Sequence, residues 1–323
     1  MRGPWMLVLS AVTMLPSLAL AQNRRHLNRV IDLLEHSQPI FGLYAPSNRR
    51  GRGAPVDTQP PKTTAQLAQA ALAYPLSDYA FDGSMEDDFE RAFPPFAEFA
   101  KAMGDAGALQ KTSAPWLSHP LIVKTHRIAP DPKLASERIG RQLNLGVSGI
   151  VFVGVESAEE VKRGLAAMRF KSQGGTRSDE VGVAPAYWGM SEAEYRQRAD
   201  VWPLDPNGEL VTWTVVESRA GLAHVREIAA VKGISVLFPG AGTLRGVFTT
   251  TDSSGHRNFD AQGWEAAIQQ VLAACKEFNV PCGYPANAND IETRMTQGFS
   301  VFVINWGEPG FKTIEIGRKL SGR

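Results

Sequence analysis

Eight short apolar runs, most followed by a segment of helical period, constrain this chain more than any other feature. The runs are IFGLYA (40–45), DYAFDG (78–83), LIVKTH (121–126), GIVFVG (149–154), WTVVES (213–218), SVLFPG (235–240), PCGYPA (281–286) and FSVFVI (299–304). Between them lie segments such as LASERIGRQLN, SAEEVKRGLAAMRF and GWEAAIQQVLAACKEF. Apolar residues recur there every three or four positions, as helices packed on one side of a sheet require. Nearly continuous apolar strands alternating with such helices predict a parallel sheet covered on its outer face. Eight units predict closure into a (β/α)8 TIM barrel of class α/β. An open doubly wound sheet is the alternative, but no GxGxxG turn follows the first run to favour it.

The chain opens on a segment that reads as targeting. Arg2 is a positive n-region, Trp5 to Leu20 is mostly apolar, and Ala19-Leu20-Ala21 is a small-residue cleavage pattern before Gln22. The apolar run is short and interrupted by Pro16, which weakens a membrane-anchor reading. The expectation is an exported, periplasmic protein with one barrel domain over 22–323 and no membrane association after cleavage. Cleavage leaves 302 residues and removes Arg2, so the formal net charge goes from +1 to 0. That balance argues against nucleic acid as a partner. A small carboxylate ligand and assembly into a homo-oligomer are expected instead.

Two insertions interrupt the alternation. Residues 47–62 form a basic, Pro/Gly-rich stretch after the first run. Residues 171–210 carry Tyr187, Trp188 and Trp202 between the fourth and fifth runs. Both are expected on the face where barrels place substrates, the second as a lid or a subunit contact. Of the two cysteines, Cys275 falls on a helix pattern and Cys282 opens a strand. The expectation is two buried thiols, although export would permit a bridge between them.

The stretch Trp213–Gly246 is richest in chemistry. One apolar run ends in Glu217, and the next ends in the turn Gly240-Ala241-Gly242-Thr243. An acid closing an apolar strand is costly to bury unpaired, so it should hold a cation or meet a basic group. The glycine turn exposes backbone N–H groups suited to a carboxylate; a tight strand-to-helix turn would also need glycine. Lys124, His126 and Arg127 cluster at the third strand end. Lys124 is a carboxylate contact or a salt-bridge partner of Glu217. His126 is a replacement base if it faces the cavity. Asp252 and His256 are a weaker source of ligands.

At this point the chain resembles the HpcH/HpaI aldolase and citrate lyase β-subunit family. LNRVIDLLEHSQPIFGLY, LNLGVSGIVFVGVESAEEVKRGLAAMRF with GGTR, VVESRAGLAHVREIAAVKGISVLFPGAGTL and VPCGYPANANDIETRMTQGFSVFVI carry the likeness, in the family's order. The resemblance implies a (β/α)8 barrel that binds a divalent metal, Mg²⁺ or Mn²⁺, and a pyruvate-type enolate, and makes or breaks the adjacent carbon–carbon bond. It implies Glu217 as a metal ligand. The family's second metal acid falls on Thr243, and its third-strand arginine falls on Lys124. Its acid–histidine pair after the second strand falls on Asp82-Gly83-Ser84-Met85, where only Asp82 matches. A two-place slip brings Glu86 into register as the acid. Arg177 of GGTR matches the family's G-x-R and is implied as a carboxylate contact.

These departures carry physical weight. A threonine hydroxyl is neutral, so one negative charge is gone from the metal shell. Lysine is a point charge and cannot form arginine's planar two-bond clamp. Two functions remain open: a carbon–carbon lyase acting on a small hydroxy or keto acid through a metal-stabilised enolate, and an exported carboxylate-binding barrel that has lost the reaction. In the first, Lys124, His126, Asp82 and Glu86 are the candidate catalytic residues, and Lys124, Arg177 and Gly240–Thr243 the substrate contacts.

Overall fold

The computed structural model describes residues 26–48 and 60–323. The expected signal segment, 1–21, and most of the basic insertion, 49–59, lie outside the described residues.

All eight apolar runs form strands: β1 (Ile40–Tyr44), β2 (Ala80–Asp82), β3 (Leu121–Lys124), β4 (Gly149–Phe152), β5 (Val211–Val216), β6 (Val236–Pro239), β7 (Gly283–Pro285) and β8 (Val301–Ile304). They pair in parallel in the order β7-β8-β1-β2-β3-β4-β5-β6. Ile40 stands opposite Val301, and Leu43 opposite Ala80. A single parallel bridge, Leu237 to Cys282, joins the two ends of that order and makes a nearly closed barrel. The open-sheet alternative is therefore ruled out, and the fold is of TIM-barrel type.

Local chemistry sets the helices between strands. Asp131 caps Pro132–Leu143 by accepting the Leu134 N–H, and proline opens that helix, where a missing N–H costs nothing. Ser157 caps Ala158–Met168 by accepting the Glu160 N–H. Each such cap contributes about 1 kcal/mol. Val161, Leu165 and Met168 turn one face of that helix onto the barrel, at the spacing an amphipathic stripe requires.

Alternate residues of each strand point into the barrel. Phe81, Ile122, Val151, Trp213, Val215, Phe238 and Val303 fill its interior as one cluster, separate from the larger core under the helices. Gly283 makes room for the aromatic layer: a Cβ there would fall 2.0 Å from the Phe238 ring. Helix Arg29–Glu35, not expected from the sequence, plugs the N-terminal end of the barrel with Val30, Ile31 and Leu34.

Two expectations are corrected. The 171–210 insertion is not on the substrate face. It begins after helix Ala158–Met168 has already carried the chain back to the N-terminal end of the barrel. There Val183 N–H donates to Asn144 O at 2.9 Å, Trp188 Nε1 donates to Gly146 O at 2.8 Å, and Tyr187 packs over Gly146. It is layered on its own barrel rather than poised over the mouth. Second, Cys275 and Cys282 form a disulfide, with Cα atoms 5.7 Å apart. Three residues separate the end of helix Ala261–Glu277 from Pro281, so the returning strand brings the sulfurs together at the barrel's seam.

Candidate functional site

The C-terminal strand ends converge on a cavity of about 230 Å³. Its floor is apolar. Phe81 stacks on Trp213 at 6.0 Å, and Trp213 on Phe238 at 6.2 Å, with Val151, Val215 and Val303 between. Its rim is polar: Tyr44 from β1, Lys124 from β3, Glu217 just past β5, and the turn Gly240–Thr243 past β6. Period two along β5 places Trp213, Val215 and Glu217 on one face, and the same count along β6 aligns Phe238 with Gly240. That signal was present in the sequence and would have found the aromatic floor.

Glu217 is 8% exposed, and its Oε1 accepts the Gly154 N–H at 2.7 Å. Its Oε2 lies against the glycine turn. A Cβ on Gly240 would stand 2.6 Å from that oxygen, so glycine is what lets the turn approach the carboxylate. The turn is also the start of a helix, Ala241–Val247. The first N–H groups of a helix have no acceptor within it, so those of Ala241, Gly242 and Thr243 are available to a ligand.

Lys124 Nζ donates to Glu86 Oε2 at 2.5 Å. Burial works against the charged amine, but the Glu86 carboxylate outweighs it, with Tyr44 and Glu217 adding, and the pKa is raised. Lys124 is thus held as a cation, able to accept a proton only by yielding its own. The Tyr44 phenol is likewise held protonated. Burial raises its pKa first, Lys124 opposes, and Glu86 and Asp82 reinforce the rise. Trp213 Nε1 is buried with no acceptor in the protein, while its ring lines the cavity floor.

The remaining sequence candidates divide. Glu86 reaches Lys124 on the rim from beside the cavity while Met85 is fully buried, so the two-place slip gives the register found here. Asp82 Oδ1 accepts from Ser84 N–H at 2.8 Å and Ser84 Oγ at 2.6 Å, which folds the loop carrying Glu86. It lines a neighbouring hollow of about 600 Å³, as does Glu86, rather than the cavity itself. His126 Nδ1 sits 2.8 Å from Glu86 O and does not line the cavity, so it steadies the loop instead of replacing a base. Arg177 is not brought to the mouth. It is 1% exposed within the insertion, donating to Asn144 Oδ1 at 2.9 Å and to Tyr195 Oη at 3.1 Å over the Phe170 ring. Asp252 is exposed and accepts from Ser254 and His256 within its own hairpin turn. Tyr44 is the rim residue that sequence reading missed.

The model of the HpcH/HpaI aldolase/citrate lyase family matches residues 122–307. The chain belongs to that family. The match begins in β3 and runs past β8, so it takes in Lys124, Glu217 and the Gly240–Thr243 turn. Among family relatives, the hydroxypyruvate/pyruvate aldolase of Paraburkholderia phytofirmans is 28% identical over 145 residues, 45% of this chain and 52% of that protein. The 2-dehydro-3,6-dideoxy-6-sulfogluconate aldolase of Pseudomonas putida is 26% identical over 173 residues, 53% and 61% of the two chains. The chain thus matches between about half and three-fifths of the length of these relatives. A solved family structure from Burkholderia cenocepacia superposes with a TM-score of 0.63 at 21% identity, covering 91% of this chain and 96% of that one. Macrophomate synthase superposes at 0.58 with 18% identity over 92% and 89%. These likenesses concern the fold.

The donor set at the mouth suits the divalent ion of the family only with help. Glu217 offers one carboxylate oxygen, Thr243 a neutral hydroxyl, and Lys124 is a cation on the same rim. Mg²⁺ and Mn²⁺ accept one or two carboxylates when a ligand and water supply the other oxygens. The residues therefore fit an ion that arrives with a chelating keto acid.

Proposed function

We propose that the mouth cavity holds a small keto or hydroxy carboxylate, and that the protein is a carbon–carbon lyase working through an enolate of that ligand. One observation carries the reading: a cation that stays protonated, Lys124, and a carboxylate, Glu217, share the rim of a small cavity with apolar walls. In such a site charged contacts are worth more than in water.

Lys124 binds the ligand's carboxylate as a point charge, and Glu86 holds the ammonium in place. The N–H groups opening helix Ala241–Val247 take a second ligand oxygen, and the apolar floor excludes water from the reacting carbon. A divalent ion on Glu217, when bound with the ligand, supplies Lewis-acid stabilisation of the enolate charge. Lys124 already carries its proton, so it takes up the ligand's hydroxyl proton only as it yields one to Glu86. The same relay run backwards returns a proton to the enolate carbon. Because Cys275 and Cys282 are bridged, an oxidising compartment suits the protein, which supports export.

A second reading, binding without turnover, is favoured by the rim itself. Lys124 and Tyr44 are both held protonated, and Thr243 stands where a second acid would complete the metal shell. Calorimetric titration of pyruvate and of oxaloacetate, each with and without Mg²⁺ or Mn²⁺, tests both readings alongside turnover of a panel of hydroxy-keto acids. The lyase reading expects ligand binding strengthened by metal, turnover, and loss of the metal effect in Glu217→Gln. Binding without turnover selects the second reading, and no ligand binding under any condition overturns both.

A further inference from the structure

A second cluster of ligand-type side chains lies at the opposite end of the barrel, where the N-terminal helix meets the end of the 171–210 insertion. His26, just before the helix, and Asp32 and Glu35, three residues apart on it, each direct one donor atom to a common point. The three atoms lie within 4.8 Å of one another. The His26 ring is 1% exposed. Its Nε2 faces Glu35 Oε1 and its Nδ1 faces Glu209 Oε1, both at 3.5 Å, and neither ring nitrogen completes a hydrogen bond. Asp32 Oδ2 is also buried without a partner, its other oxygen accepting the His26 N–H at 3.3 Å. Buried polar atoms left unpaired are costly, whereas a bound ion would satisfy them. His26 and Asp32 thus carry buried donor atoms without a partner, and both residues offer a ligand atom to the common point.

The surroundings are arranged as a metal's outer shell would be. Glu209 is saturated: it accepts the N–H groups of Leu27 and Asn28 at 3.0 and 2.9 Å and pairs with Arg198. Its Oε1 stands 3.5 Å from Nδ1, on the side where a carboxylate backs a metal-bound imidazole, and leaves Nε2, facing Glu35, to bind. Glu35, 28% exposed, is the side through which an ion would enter. One nitrogen with two carboxylate oxygens suits zinc, whose bonds of about 2.0–2.2 Å would draw the three donors together around it.

We propose that His26 Nε2, Asp32 and Glu35 bind one zinc-class divalent cation, which fastens the barrel-closing helix to the insertion through Glu209. This site is separate from the mouth, so the test uses Glu217→Gln protein stripped with chelator and titrated with ZnCl₂ by calorimetry and thermal melting. One zinc should bind and raise the Tm. Added Glu35→Gln or Asp32→Asn should weaken zinc at least tenfold while the zinc-free Tm stays near that of the parent. X-ray absorption of the zinc-loaded protein should show one imidazole among oxygen ligands. Absence of zinc binding in the Glu217→Gln protein, zinc binding that survives both added substitutions, or a spectrum without imidazole would overturn the proposal.

Discussion

The two ends of this barrel treat charge in opposite ways. The C-terminal mouth carries Lys124, backed by Glu86, and Glu217 over an aromatic floor, and half-completes their interactions: Glu217 Oε2 and the helix-opening N–H groups are left for something else. Away from the His26–Asp32–Glu35 cluster, the N-terminal end buries charge in completed networks. Asp78, fully buried, meets the guanidinium groups of Arg29, Arg318 and Arg323 at 3.1, 2.8 and 2.9 Å and also accepts the Phe41 N–H. Asp200 pairs in two-bond fashion with Arg169 at 2.6 and 2.9 Å. Completed networks fix a structure, while unfinished ones invite a ligand. Stability should therefore be lost at one end and binding at the other.

The largest effect is expected at Asp78. Asp78→Asn leaves three guanidinium groups crowded without their shared anion, and removing one partner from a buried charge network costs roughly 3–5 kcal/mol. Denaturant melts measure it. A loss under 1 kcal/mol would mean that the N-terminal network does not hold the barrel shut. Acid should act at the same end. His119 is buried against Tyr74 O at 3.1 Å, and burial lowers its pKa to about 4, the Tyr74 contact opposing and Arg29 assisting. The unfolded chain binds that proton near pH 6.5, so the unfolded state holds more protons between the two values. The stability tied to neutral His119 is complete above pH 6.5 and lost as pH falls toward 4, about 3 kcal/mol in all. His119→Gln should flatten that acid limb, and an unchanged slope would place the acid sensitivity elsewhere.

The contrast between the ends also explains what could be read from sequence. Strands and mouth follow from local rules: an apolar run marks a strand, and period two carries Glu217 and the glycine turn to one rim. Glu86 was recoverable because its loop stands beside β3. The N-terminal end was not, because its partners are distant. Asn28 meets Glu209 across 181 positions, and Asp78 meets Arg323 across 245. Arg177 was misplaced for a related reason. Matching a motif gives a position in the chain, whereas the helix Ala158–Met168 had already moved that chain to the far end. The disulfide likewise depends on where a strand returns, which spacing of seven residues does not determine.

At the mouth, substitutions should change binding and spare the fold. Lys124→Met keeps the stem over the cavity and removes the charge. Hydrogen bonds to charged groups are worth about 1.5–3 kcal/mol, so pyruvate affinity should fall roughly tenfold to a hundredfold by calorimetry. It also strands Glu86, which is partly exposed and can be hydrated, so the stability change should stay below that of Asp78→Asn. Equal affinity for pyruvate in wild type and Lys124→Met would remove Lys124 from the site.

The smallest expected change in stability is the most informative. Thr243 is exposed in the first turn of helix Ala241–Val247, where a negative side chain is mildly favoured by the helix dipole. Thr243→Asp should therefore alter folding by no more than about 0.5 kcal/mol. It adds a second carboxylate to the rim that carries Glu217, doubling the anionic donors available to a hard cation. Mg²⁺ or Mn²⁺ titrated without keto acid should bind at least tenfold more tightly than to wild type, and Glu217→Gln should erase that gain. Were affinity unchanged, the two side chains would not share a metal, and the neutral threonine would be no reason for a ligand-dependent site. If turnover rises together with metal affinity, the missing charge is what separates this barrel from its aldolase relatives; if affinity alone rises, the base is what is missing.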